Sequence, residues 1–223
     1  SSPLPVRAWV PAGVLAAVAA LAWTTTLRNA VWSSPLNLWE DTVAKSPGKF
    51  RTWGNLGAAW ANAGKEEEAG KCFKKALQIE PRFQHAMFNR SNSLLRLGRS
   101  QESLDTSLKL IRTDRNAARR PEVAFTFGLG LAGSGRYDDA LHVLKEVLAA
   151  APDDPRCHRA LGSVYLRKNQ PSIALDHFRR ASALMVPDQN LLNDIRIAEA
   201  AASDAASSQP AFKPVINPNS RLR

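Results

Sequence analysis

Cysteine is scarce in this sequence. Cys72 and Cys157 stand far apart, with no CxxC spacing and no histidine partner pattern, so they read as two part-buried thiols. His85, His142, His158 and His177 show no metal-ligand spacing with one another or with the cysteines, which excludes a zinc site of ordinary pattern. There is no Ser-His-Asp or Cys-His arrangement, so the chain offers no catalytic residue and implies no cofactor. The one glycine-rich run, "GLGLAGSG" at 128–135, follows no strand and is a packing feature, not a phosphate loop. Asp138-Asp139 and Asp153-Asp154 fall where turns between helices are expected, and aspartate caps helices well.

Acidic residues are the minority charge, 20 against 30 Lys and Arg, giving a formal charge of +10. The cations are scattered over many segments, and no RNP, KH, zinc-finger or basic-zipper pattern accompanies them. Specific nucleic-acid recognition is therefore not expected, and attraction to anionic lipid or an acidic polypeptide is favoured. The first residue is Ser1, not Met, which leaves open a start inside a longer gene product or after processing.

One long run lacks charge altogether. "AWVPAGVLAAVAALAWTTTL", 8–27, is bracketed by Arg7 and Arg28 and has Trp9 and Trp23 towards its ends. Twenty helical residues rise about 30 Å, the thickness of a bilayer core, so 8–28 is expected to be a transmembrane helix. Its alanines and threonines make it only moderately apolar, and a buried or self-associating helix is the rival reading. A signal peptide is the third. The flanking arginines balance, so no orientation follows.

What the rest of the chain has is a period. In "FRTWGNLGAAWANAGKEEEAGKCFKKALQIEPRF", 50–83, counting Phe50 as position 1 places Trp53 at 4, Leu56 at 7, Gly57 at 8 and Trp60 at 11. Gly64 follows at 15, Ala69 at 20, Phe73 at 24, Ala76 at 27 and Pro81 at 32. The pattern resembles the 34-residue tetratricopeptide repeat (TPR), a helix pair whose small residues sit where helices A and B cross closely. Residues 84–117 keep Met87, Leu94 and Gly98 but place Ser91, Ser103 and Ser107 at the small and aromatic positions, so this repeat is expected to be the softest. After a basic loop with three extra residues, 121–154 and 155–187 recover the frame. The array thus spans 49–187 as about four repeats. Residues 188–208 read as a solvated capping helix, which covers the apolar face that the last repeat would expose. The basic tail 209–223 has three prolines and reads as extended. The predicted fold is all-α, a TPR solenoid wound as a right-handed superhelix, with a short flank 1–7 and the apolar helix in front.

Between the two lies "TTTLRNAVWSSPLNLWEDTVAKSP", 24–47. Pro47 falls at position 32 of a preceding unit, so 29–48 reads as a junction ending in a half-repeat B helix. Ser34-Pro35 is its cap and first residue, Trp39 faces inward, and the end of the apolar helix takes the missing A helix's place. Together with "RTWGNLGAAWANAGKEEEA", this junction resembles the C-terminal region of multi-pass membrane glycosyltransferase-like proteins, the transmembrane and TPR-containing mannosyltransferases. In that family sugar transfer from a lipid-linked donor occurs in the multi-pass portion, and the TPRs lie on the lumenal or periplasmic side. These 223 residues lack the family's acidic first-loop motif, so no catalytic residue is carried over.

TPR grooves bind through positions 2, 5, 6, 9, 12 and 13 of each A helix. Here those positions include Arg51, Asn55 and Asn62, then His85, Phe88, Asn89, Asn92 and Arg96. The third and fourth repeats add Phe125 with Thr126, and Arg156, Arg159, Ser163 and Arg167. Asn55 and Asn89 share position 6, where asparagine resembles the ladder with which O-GlcNAc transferase TPRs hold a peptide backbone. The arginines of the last repeat suit an acidic segment or a carboxylate. Gly54 and Ala58 replace the Lys and Asn of the chaperone-binding clamp. Three functions follow from this reading. The first is a membrane-tethered, periplasmic or lumenal scaffold binding an extended and acidic polypeptide. The second is the acceptor-selecting part of a membrane glycosyltransferase, and the third is a self-associating subunit of a fibre or larger membrane complex.

Overall fold

The structure is a computed structural model that describes residues 9–207, leaving the side chains at 9–12, 27, 28, 30, 31 and 206 outside the description. The flank 1–7 and the tail 209–223 lie outside the described residues. Within them the chain is all helix, in two compact units, 1–117 and 118–223.

The first unit holds α1 (Trp9–Val31), α2 (Pro35–Lys45), α3 (Phe50–Asn62), α4 (Glu66–Ile79), α5 (Gln84–Arg96) and α6 (Ser100–Thr113). Neighbouring helices pack in sequence from α2 to α6. Ser34 caps α2, its hydroxyl accepting from the Asn37 amide at 3.1 Å, and Pro35 occupies the first turn, where no N–H is missed. Trp39 of α2 packs with Trp53 and Trp60 of α3 around buried Val43, Leu56 and Cys72. Burial drives the Cys72 thiol up to about 11, which keeps it an inert, protonated core group.

Helix α1 departs from the expectation. It touches α2 sparsely and α3 not at all, so it does not take the place of a missing A helix. Val14, Leu15, Val18, Leu21 and Trp23 are all exposed. Apolar residues on every side give it no single stripe to pack against a neighbour. Nor is the expected span 8–28 found: among the described residues no helix is long and apolar enough to cross a membrane.

The second unit holds α7 (Pro121–Gly133), α8 (Tyr137–Ala150), α9 (Pro155–Arg167), α10 (Pro171–Leu184) and α11 (Gln189–Ser207). Pro121, Pro155 and Pro171 each open a helix. At the crossing of α9 and α10, a Cβ on Gly162 would lie 2.6 Å from Phe178, inside any real contact. Glycine is what lets the two backbones close around that ring. Helix α11 seals α10 with Leu191 and Ala198, both fully buried.

All four A helices end the same way. In the first repeat Gly64 donates to the Ala61 carbonyl and Lys65 to that of Trp60, a Schellman pair that requires a left-handed residue between. The left-handed residues are Gly64, Gly98 and Gly135, and in the last repeat Asn169 at φ 56°. Asparagine is the side chain that tolerates this region best.

The second repeat is built differently from the others. Ser91, Ser103 and Ser107 are almost completely buried. The Ser91 hydroxyl lies 2.7 Å from those of both Ser103 and Ser107, and Ser103 donates to the Ser91 carbonyl at 2.9 Å. Hydrogen bonds here replace the Gly57, Ala69 and Phe73 contact of the first repeat.

Candidate functional site

The described groove residues behave differently in the two units. In the first, Arg51 is exposed and lies over the Phe50 ring at 5.6 Å. Asn55 is half-buried and its side chain makes no hydrogen bond to another described residue, while Asn62 is exposed. Asn89 gives its amide to the exposed His85 ring on its own helix, 3.2 Å away. An asparagine ladder would therefore have to break that contact. Phe88 and Asn92 are half-buried. Arg96 crosses from α5 to α4 and pairs with Glu66 at 2.7 Å, a tie between repeats.

In the second unit the residues converge. A cavity of about 520 Å³ lies between α7 and α9, within the range of about 300–1,000 Å³ typical of ligand pockets. Phe125, Leu129, Tyr137, Val164 and Met185 line it together with Arg156, Arg159, Ser163 and Arg167. Phe125 and the four α9 residues were legible from the frame. Leu129, Ala132 and Gly133 occupy positions 9, 12 and 13 of the third A helix, so the same frame identifies them once apolar and small residues are admitted. Thr126 does not join the pocket: it is buried, and its hydroxyl donates to the Glu122 carbonyl at 2.8 Å.

Two of the three arginines are already engaged. Arg156 holds Asp154 through two hydrogen bonds, 3.1 Å from Nε to Oδ1 and 2.8 Å from Nη2 to Oδ2, and stacks over Phe125 at 5.5 Å. Asp154 also caps α9 by accepting from the Arg156 amide, and the Arg156 guanidinium keeps its carboxyl below the usual range. Arg159 reaches Asp188 and Asp194, each at 3.2 Å. Asp188 in turn accepts from the Leu191 amide, which lowers its pKa first, with Arg159 adding to the effect. Arg167 is exposed, and among the described residues no carboxylate lies within ion-pair distance of it.

Behind the pocket, α9 and α10 share a histidine pair. His158 Nδ1 lies 3.0 Å from His177 Nδ1, and His158 Nε2 lies 3.0 Å from the Pro152 carbonyl. A carbonyl only accepts, so His158 carries its proton on Nε2 and accepts the Nδ1 proton of His177. Tyr165 stacks on His177, and Lys145 Nζ lies 5.6 Å from the centre of the Tyr165 ring. Burial, then His158, lowers the His177 pKa.

Family models for the tetratricopeptide repeat match 50–83 and 125–184. Both units therefore carry tetratricopeptide repeats. Solved TPR proteins are among the structural likenesses. MamA 41-end from Desulfovibrio magneticus RS-1 is 21% identical and aligns at TM-score 0.59, covering 74% of this chain and 94% of that one. YrrB, described as a TPR protein with an unusual peptide-binding site, is 20% identical at TM-score 0.59, covering 82% and 87%. At those identities the likeness is one of fold. Among curated proteins, mouse protein O-mannosyl-transferase TMTC3 is 25% identical over 172 residues, 72% of this chain but 19% of its own length. The peroxisomal targeting signal receptor of Candida glabrata is 23% identical over 159 residues, 68% of this chain and 25% of the receptor. The TPR chain thus spans between about a fifth and a quarter of these relatives.

Proposed function

We propose that the chain is a non-catalytic scaffold whose second unit seats a polypeptide segment in the pocket between α7 and α9. The observation that carries this reading is the convergence there of an apolar floor with groove positions of two successive A helices. Arg156 and Arg159 are taken up in ion pairs, and among the lining residues none forms a nucleophile–base couple. That YrrB has a peptide-binding site, and that a targeting signal receptor is a relative, supports a polypeptide as the occupant. A photo-crosslinking residue at Leu129 should label a bound polypeptide, whereas one at exposed Glu146 on α8 should not. Equal labelling at both positions overturns the reading.

Attachment to lipid belongs to the same proposal and would place the TPRs on a periplasmic or lumenal surface. The exposed apolar side chains of α1 support it. The similarity to TMTC3 favours a second reading, in which the TPRs select acceptors for a membrane glycosyltransferase. A continuous upstream reading frame rich in apolar segments supports that role, and a translation start or processing site just before Ser1 overturns it.

A further inference from the structure

The charge arrangement of the second unit narrows the ligand. Three guanidiniums border the pocket, yet Asp154 neutralises Arg156, and Asp188 with Asp194 more than neutralises Arg159. Lys168, next to Arg167 in sequence, is likewise paired, with Asp138. Among the described residues lining the pocket, what remains is an apolar floor and one cation without an ion pair, Arg167. We infer that the pocket recognises an internal peptide segment with apolar side chains beside a single carboxylate, the carboxylate being taken by Arg167. The inference rests on the proposed polypeptide groove and names its ligand.

A polyacidic segment does not fit. To use Arg156 it must compete with a carboxylate held through two hydrogen bonds to that guanidinium. To use Arg159 it must approach Asp188 and Asp194, whose charges repel it. Around the pocket, Asp154, Asp188 and Asp194 all sit on Arg156 and Arg159, so beyond Arg167 no positive charge is left to draw in a second acid. A chain terminus is a poorer match than a side-chain carboxylate, because capture of a terminus ordinarily uses a nest of backbone amides, and Arg167 is a lone exposed guanidinium.

The test is selection of random dodecapeptides displayed without a free C-terminus, against the full chain and its Arg167→Gln variant. The wild-type chain should enrich inserts that place one acidic residue beside aliphatic or aromatic residues. Arg167→Gln should keep the apolar residues and lose the acid. For a synthetic consensus peptide, Glu→Gln should weaken binding roughly two- to fivefold on the wild type, as expected of an exposed pair, and leave binding to Arg167→Gln unchanged. Enrichment of acidic runs overturns the inference, as does an acid that persists on Arg167→Gln or apolar inserts without any acid on the wild type. In those cases the groove itself stands. If the wild type enriches nothing, the polypeptide groove falls and the inference with it.

Discussion

His158 and His177 can share one hydrogen bond only while His158 Nδ1 is bare. Burial lowers the His177 pKa below its ordinary 6.5, so the unfolded chain binds more protons in this range than the folded one. Stability therefore rises with pH: the contribution is complete above about 6.5 and declines as pH falls below it. Lys145 opposes the proton and Asp176 favours it, and burial outweighs both. Urea unfolding of the full chain between pH 7.5 and 5 should show this loss, and His177→Leu should flatten it. An unchanged slope in the variant would assign the pH dependence elsewhere. Asn169 provides a second residue-scale check. Asn169→Ala should cost up to about 1 kcal/mol, because alanine keeps the Cβ but loses the short polar side chain that eases left-handed geometry, whereas Asn169→Gly should be neutral or stabilising in the same melt.

Among the elements, the second repeat is the most informative. Ser91→Ala strands the Ser107 hydroxyl in a buried site, while Ser103 keeps its bond to the Ser91 carbonyl, and should cost about 1–3 kcal/mol. The triple change Ser91→Gly, Ser103→Ala, Ser107→Phe rebuilds the first repeat's contact and should cost less than Ser91→Ala alone. Thermal melts of the two variants decide the point; a triple variant less stable than Ser91→Ala would show that the backbone spacing of α5 and α6 is set for serine. Period and glycine placement made these helices legible, because both record a short-range rule about where backbones cross. The serine triad was visible as a departure from the rule, but its bonding was not, since the frame registers positions and not partners. For the same reason the sequence reading treated Arg156 and Arg159 as free cations. Asp188 and Asp194 lie in the cap, outside the repeating frame, and only packing brings them to Arg159. The histidine pair stood at positions 4 and 23, where the first repeat has Trp53 and Cys72, and superposing the frames would have flagged it.

For the whole molecule, the exposed apolar side chains of α1 set the solution behaviour. The full chain should bind detergent or self-associate in its absence, and deletion of 1–34 should leave a monomer in plain buffer by sedimentation. Self-association that persists after the deletion would move the contact to another surface, such as the exposed Val186, Leu192 and Ile197 of the second unit. The sequence marked α1 as exceptional through its lack of charge. It could not give its surroundings, because an all-round apolar helix satisfies lipid, a second copy or a protein core equally well.

Helix α11 covers the apolar end of α10, and it and the residue just before it, Asp194 and Asp188, supply two of the three acids that discharge the pocket. Selectivity can therefore evolve, or be engineered, at a distance from every residue that touches ligand. Asp194→Asn would leave the floor and its shape intact while loosening the hold on Arg159, shifting the preferred partner from one acid towards two. In this chain the end cap doubles as a counter-ion reservoir, and Asp188 and Asp194 meter how much negative charge a partner must bring.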